Sequence, residues 1–190
     1  MSKRTFLIHG WDGRPDNHWF PWLKAELVAR GFEVFAPAMP NHAYPKISEW
    51  VSMLNDWVGE PDEETFLVGH SIGCQTILRY LETVPNAKIG GAVFVAGWLS
   101  LQNLSSNEIK VAKPWLETAI DFGKLKTWAR TFVALMSDND QSVSLEQGIE
   151  FANKIGAKVI LEKGKGHFTK ADGVTALPSV LSALLAMSAL

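Results

Sequence analysis

The chain has 190 residues, of which 47% are hydrophobic and 20% are charged, as in a globular protein large enough to bury a sizeable core. A formal net charge of −2 argues against binding to nucleic acid or to an anionic membrane surface. The one cysteine, Cys74, excludes an internal disulfide and a cysteine-based zinc cluster, and the apolar stretch Thr5–Ile8 is too short for the core of a signal peptide. We therefore expect a single domain, residues 1–190, of a soluble cytoplasmic protein.

Short apolar runs typical of strands alternate with segments of helical spacing along the chain. Six runs predict strands, at Thr5–Ile8, Phe32–Ala36, Thr65–Val68, Gly91–Val95, Thr131–Leu135 and Lys158–Leu161. Helical spacing predicts helices over Asn17–Arg30, from an N-cap at Ser48 to Val58, from Ser71 to Val84, over Leu145–Ile155 and over Val174–Met187. Because the strands are almost wholly apolar, we predict an α/β fold with a doubly wound, mostly parallel six-stranded sheet and helices on both faces.

One long segment, Trp98–Arg130, departs from this alternation because no strand-like run interrupts it. Its apolar residues are scattered among polar ones: Trp98, Leu101, Leu104, Trp115, Leu116, Phe122 and Trp128. We interpret the segment as a cap or pocket-lining element, and a long helical connection is the alternative.

Residues 69–73 read Gly-His-Ser-Ile-Gly, at the point where the third predicted strand meets the following helix. In this setting the G-x-S-x-G pattern forms a sharp turn that lifts the serine hydroxyl out of the sheet, and the glycines leave room for the strained backbone. The pattern alone is weak, since Ser71 could also serve only as the N-cap of its helix. A catalytic serine needs a base and an acid that orients the base.

Candidates for both partners follow later strands, at the edge of the sheet where α/β proteins bind ligands. The polar loop Ser137-Asp138-Asn139-Asp140 follows the fifth strand, and the glycine-rich loop Lys163–Phe168, which contains His167, follows the sixth. The order serine, acid, histidine is that of α/β-hydrolases, but either Asp138 or Asp140 could orient the histidine. The other four histidines lack the spacing of a metal site, so we predict neither a metal nor a cofactor.

The oxyanion that forms when a serine attacks a carbonyl group needs N–H donors. One should be the backbone N–H of Ile72, the residue after the serine, at the positive end of its helix. The second should come from the loop His9-Gly10-Trp11 after the first strand, where we expect the Trp11 N–H to donate. Because Trp11 and Trp98 directly follow strands at the active edge, we predict an apolar pocket with Trp98 and His9 as substrate-binding residues.

Five short stretches together carry a resemblance to a known family: His9-Gly10, His18–Lys24, Met39–Asn41, Gly69–Gly73 and Gly166–Phe168. With them the chain resembles the α/β-hydrolase superfamily over nearly its whole length, and more closely the small serine hydrolases grouped around retinoblastoma-binding protein nine and bacterial YdeN. The resemblance implies a compact six-stranded parallel sheet without a large cap, and a Ser-Asp-His triad.

Many such hydrolases carry the acid in a pattern like Asp-x-x-Val-Pro, which residues 140–144 match except at the last position. The resemblance therefore favours Ser71, Asp140 and His167 as catalytic residues. We expect a small-molecule substrate, by default a carboxylic ester with an apolar group, which is cleaved through an acyl-enzyme; a thioester or an amide would use the same residues. The alternative is a protein-binding module that has kept the fold and lost turnover. The sequence does not predict an oligomeric state.

Overall fold

The computed structural model describes residues 2–84, 88–125 and 131–189. Its strands are β1 (Arg4–Ile8), β2 (Glu33–Phe35), β3 (Thr65–His70), β4 (Gly91–Val95), β5 (Phe132–Ser137) and β6 (Lys158–Glu162). They form one sheet in the order β2-β1-β3-β4-β5-β6, and each neighbouring pair is parallel. The chain first moves outward from β1 to β2, and then returns past β1 to β3 and continues to β6. The predicted doubly wound parallel sheet is confirmed, and its topological switch point lies between β1 and β3.

Helices cover both faces of the sheet, as predicted. They are α1 (Phe20–Val28), α2 (Ile47–Val58), α3 (Ile72–Thr83), α4 (Ser106–Glu117), α5 (Phe122–Leu125), α6 (Leu145–Ile155) and α7 (Pro178–Met187). Across the described ranges, none of these helices combines the length and the apolar character that a membrane crossing needs.

The strands separate two hydrophobic cores, because successive side chains of a strand point to opposite faces of the sheet. Along β1, for example, Phe6 and Ile8 lie in one core and Leu7 lies in the other. The first core packs the sheet against α2, α3 and α6, and the second packs it against α1 and α7. Burial on both faces explains why most of the strands read as continuous apolar runs.

Two helices begin later than their apolar spacing predicted. The first helix begins at Phe20 rather than Asn17, because His18 has a left-handed backbone conformation (φ 55°) that an α-helix excludes. The last helix begins at Pro178 rather than Val174. Proline is favoured in the first turn of a helix and pushes the residue before it away from helical angles, so it sets this boundary.

The predicted N-cap of α2 is wrong. Ser48 lies in the first turn of the helix, which begins at Ile47, and the extended residue Lys46 occupies the cap position. Ile47 packs against the first hydrophobic core, and the helix starts two residues earlier than an N-cap at Ser48 would allow.

The segment after β4 forms α4 and α5 and contains no strand within residues 98–125. α4 begins with a capping box: Ser105 Oγ accepts from the Glu108 N–H, and the Glu108 carboxylate accepts from the Ser105 N–H. Trp128 and the rest of residues 126–130, which were included in the predicted cap or pocket-lining element, lie outside the described residues.

Candidate active site

Ser71 lies in a sharp turn between β3 and α3. Its backbone angles, φ 52° and ψ −117°, are ones that non-glycine residues rarely adopt, and such strain is concentrated at functional sites. Both glycines of the G-x-S-x-G pattern are required by space: a Cβ on Gly73 would overlap the Ile8 carbonyl oxygen, and one on Gly69 would lie 2.7 Å from the Cys74 nitrogen. Within the described structure the Ser71 side chain makes no cap hydrogen bond to α3, so helix capping does not account for this serine.

A pocket of about 430 Å³ opens beside this turn, at the switch point of the sheet. Ser71, which is 8% exposed, lines it together with His167. Apolar side chains of the wall come from the loops after β1 and β2 and from the segment after β4: Trp11, Ala43, Tyr44, Leu101, Leu104 and Val111. Part of the segment after β4 therefore lines the pocket, in agreement with one of the two predicted roles of that segment.

Asp140 lies against the ring of His167. Its Oδ2 is 2.8 Å from His167 Nδ1, and its Oδ1 accepts from the N–H groups of Ser142 and Val143. The Asp140 side chain is 2% exposed, whereas that of His167 is 21% exposed. This contact favours the tautomer with the proton on Nδ1, which leaves Nε2 able to accept a proton. Among the described contacts His167 makes no hydrogen bond to Ser71, and such bonds are often long before substrate binds.

The three residues before Asp140 hold the loop that carries His167. Each accepts one backbone N–H from that loop: Asp138 Oδ1 from Gly164 at 2.7 Å, Ser137 Oγ from Lys165 at 3.0 Å and Asn139 Oδ1 from Gly166 at 2.8 Å. The two aspartates that the residue pattern alone could not separate thus have different positions. Asp140 contacts the histidine ring, and Asp138 stabilises the backbone of the neighbouring loop.

Two residues outside the sequence-predicted site hold the backbone of His167. The Nε2–H of His70 donates to the His167 carbonyl at 2.8 Å, and the Asp172 carboxylate accepts from the His167 N–H at 3.1 Å. Burial, together with the nearby charge of His167, holds the pKa of His70 well below its ordinary value, so this ring is neutral. Burial raises the pKa of Asp172, but the hydrogen bonds from Thr169 and the His167 N–H outweigh this effect and lower it. In the sequence, the only indication that His70 belongs to the site is its position directly before Ser71.

The two predicted oxyanion donors lie at the ends of β1 and β3. Ile72 is the first residue of α3, so its N–H has no acceptor within the helix. Trp11 follows β1 and lines the pocket, where its side-chain Nε1–H donates to the Ala43 carbonyl at 2.9 Å. In the described parts of the chain neither backbone N–H has a backbone acceptor. Trp11 lies on the described wall of the pocket, and Ile72 does not.

His9 and Trp98 lie in the interior, and the described wall of the pocket does not include them. Both ring nitrogens of His9 are engaged by the backbone: Nδ1–H donates to the Gly10 carbonyl and Nε2 accepts from the Met39 N–H. Trp98 is 1% exposed in the first core, because burial of a large indole ring is strongly favourable. Their positions do not support the predicted substrate-binding role, and we do not assign it to them.

Comparisons with known proteins agree with this fold and identify the family of the chain. The sequence matches the family model for serine hydrolases over residues 5–186. YdeN of Bacillus subtilis (strain 168) is 32% identical over 185 residues, which cover 97% of this chain and 95% of YdeN. The serine hydrolase RBBP9 of Rattus norvegicus is 23% identical over 159 residues, which cover 81% of this chain and 80% of RBBP9.

The similarity to YdeN extends to the fold. The crystal structure of the ydeN gene product from B. subtilis has a TM-score of 0.91 to this structure at 31% identity, and the match covers 100% of both chains. The resemblance inferred from the sequence motifs is thereby confirmed. Since the family model spans almost all of the chain and the relationship to YdeN holds in both sequence and structure, the chain belongs to the serine hydrolase family and is a hydrolase of the α/β-hydrolase fold.

Proposed function

We propose that this protein hydrolyses uncharged carboxylic esters of small to medium size by covalent catalysis at Ser71. The observation that carries the proposal is the 2.8 Å contact between His167 and the buried Asp140, beside the pocket that His167 and Ser71 both line. A serine, a histidine and a buried carboxylate arranged in this order form the unit that activates a serine hydroxyl. Membership of a serine hydrolase family supports the same chemistry.

In the first half of the reaction, Ser71 Oγ attacks the carbonyl carbon of the ester and its proton moves to His167 Nε2. The N–H groups of Ile72 and Trp11 stabilise the negative charge that develops on the carbonyl oxygen. Asp140 stabilises the positive charge on the His167 ring. When the tetrahedral intermediate collapses, the bond to the alcohol oxygen breaks, His167 protonates that oxygen, and the acyl group remains on Ser71.

In the second half, a water molecule gives a proton to His167 and attacks the acyl carbon. The bond between this carbon and Ser71 Oγ then breaks, and the His167 proton returns to the serine oxygen. The products are the free carboxylic acid and the alcohol, and the enzyme regains its starting protonation state.

The walls of the pocket support an uncharged substrate with an apolar group. Leu101, Leu104 and Val111 provide apolar surface near Ser71, and each methylene group buried against such surface contributes about 0.8 kcal/mol. The charged side chains on the described wall are the carboxylates Asp12 and Glu108, with no lysine or arginine to bind an anionic substrate. A pocket of about 430 Å³ is at the small end of the range for ligand sites.

A fluorophosphonate probe tests the proposed nucleophile. An activated Ser71 displaces fluoride from the phosphorus atom of the probe, so we expect one covalent label per chain, found on the peptide that contains Ser71. Ser71→Ala should remove the label, whereas Ser105→Ala, at the cap of α4, should retain it. Full labelling of the Ser71→Ala variant would contradict the assignment. Mass spectrometry of the intact protein and of its peptides provides both measurements.

A series of 4-nitrophenyl esters tests the proposed substrate size. We expect kcat/KM to rise from the acetate to the butanoate or hexanoate, as added methylene groups are buried, and to fall at least roughly tenfold at the dodecanoate, which exceeds the pocket. A constant or rising value up to the dodecanoate would contradict the small-pocket assignment. Absence of turnover on every member would favour the alternative of a binding module.

A further inference from the structure

His18 lies in the pocket with Ser71 and His167, although it belongs to a loop far from both in sequence. Its Nδ1 accepts a hydrogen bond from the backbone N–H of Lys170 at 2.9 Å, and its ring packs edge-on against that of His70 with centroids 5.7 Å apart. These contacts fix the position of the ring at the pocket wall.

The contact with Lys170 also determines which nitrogen carries the proton. A nitrogen that accepts from an N–H has no proton of its own, so neutral His18 is protonated on Nε2. Burial and the nearby charge of His167 hold the pKa of His18 below its ordinary value, which favours this neutral form. Nε2–H has no hydrogen-bond partner within residues 2–84, 88–125 and 131–189, and it is available to a molecule in the pocket.

The backbone of His18 is strained. Its φ of 55° lies in the left-handed region, which is unfavourable for a residue with a Cβ. Glycine or asparagine would adopt this conformation more readily. Backbone strain is concentrated at functional sites, and here the side chain lines the pocket with Ser71 and His167.

The contacts of His18 place it on the same side of the pocket as His167. Lys170 follows His167 by three residues, and His70 holds the carbonyl group of His167. In the proposed reaction His167 protonates the alcohol oxygen, so the alcohol must lie next to His167. A donor on this side therefore contacts the alcohol part of the ester rather than its acyl chain.

We propose that His18 is a specificity-determining residue: its Nε2–H donates a hydrogen bond to an oxygen in the alcohol part of the ester, and this selects esters whose alcohol carries an additional ether or hydroxyl oxygen. The inference rests on the proposed esterase function and names the substrate class of that site. A donor that is left without a partner in a partly buried position disfavours the analogue that lacks the oxygen.

Two esters of equal chain length test this role: 2-methoxyethyl butanoate and n-butyl butanoate, which differ by one ether oxygen in place of a methylene group. For each enzyme the measured quantity is the ratio of kcat/KM for the methoxyethyl ester to that for the butyl ester, from acid release at constant pH. Comparing this ratio between variants removes the intrinsic difference between the two esters. Loss of a single hydrogen bond should lower it by roughly three- to tenfold.

A matched pair of variants separates the effect of the acceptor Nδ1 of His18 from the effect of the donor Nε2–H. In His18→Asn, the side-chain oxygen can still accept from the Lys170 N–H and asparagine suits the left-handed backbone, but the donor in the pocket is removed. In His18→Gln, the amide nitrogen reaches the position of Nε2, while the acceptor for Lys170 is lost. We expect the ratio to fall roughly three- to tenfold in His18→Asn and to stay nearer the wild-type value in His18→Gln.

The possible outcomes separate this inference from the proposed function. A ratio in His18→Asn equal to that of the wild type, even with both rates lowered together, overturns the specificity role and leaves the esterase assignment in place. The specificity role is also overturned if His18→Gln lowers the ratio as much as His18→Asn does. Absence of turnover of both esters by wild-type protein, with no fluorophosphonate label on Ser71, overturns the proposed function and this inference with it.

Discussion

Replacement of His167 by alanine is expected to lower kcat on 4-nitrophenyl butanoate by about 10⁶-fold, the size of effect seen when a serine hydrolase loses its general base. The Ser71 hydroxyl would then have no group to take its proton, and the alcohol would have no group to protonate it. Substrate binding involves the pocket walls, so KM should change far less than kcat. Steady-state kinetics with thermal unfolding as a folding check provides the measurement.

His42 offers a matched control for this prediction. It forms a second histidine–aspartate contact, Nδ1 to Asp12 Oδ1 at 2.9 Å, close in length to the 2.8 Å contact of His167 with Asp140. The described wall of the pocket does not include the His42 side chain. We therefore expect His42→Ala to change kcat by less than about threefold, as for a surface ion pair. Equal losses in the two variants would argue against a special role for His167.

Replacement of Asp140 by asparagine is expected to lower kcat by about 10⁴-fold with little change in folding, an effect of the size known for the acid of a serine triad. The asparagine oxygen can still accept from the N–H groups of Ser142 and Val143, which keeps the turn intact. Its amide group would donate to His167 Nδ1 and thereby place the ring proton on Nε2. A ring in that tautomer cannot take the Ser71 proton.

Asp138→Asn is the matched control for Asp140→Asn. The asparagine oxygen retains the acceptor for the Gly164 N–H, so we expect less than about a threefold change in kcat. A larger loss from Asp138→Asn than from Asp140→Asn would contradict the assignment of the acid. Comparing the two variants at the same pH isolates the effect of one carboxylate oxygen next to His167.

The sequence was most informative where one local rule determined the structure. The apolar runs and helical spacing predicted all six strands and the parallel sheet, because a strand buried on both faces has to be continuously apolar. The G-x-S-x-G pattern predicted the turn at Ser71 for an equally local reason, since Gly69 and Gly73 are close to backbone atoms that exclude any larger residue. Errors occurred at helix starts, where proline or a left-handed residue such as His18 altered the boundary.

The residues around Ser71 were harder to predict, because their neighbours come from distant parts of the chain. His18 is 152 residues from its partner Lys170, and His70 is 97 residues from the carbonyl of His167. No spacing rule relates such pairs, so the sequence showed these histidines only as members of motifs. The wrong expectation for Trp98 and His9 has the same origin. Their positions after strand ends suggested that they line the pocket, but both side chains are buried in the interior.

By itself, then, the sequence determined the fold, the family and the three residue types that the proposed chemistry needs, because each depends on local pattern and on chain order. Only the tertiary structure decided which aspartate contacts His167, which nitrogen of His18 accepts from the Lys170 N–H and which aromatic side chains line the pocket. The physical reason is that hydrogen bonds and burial act between atoms that are close in space. In a parallel sheet the loops that meet at one edge are separated by whole strand–helix units along the chain.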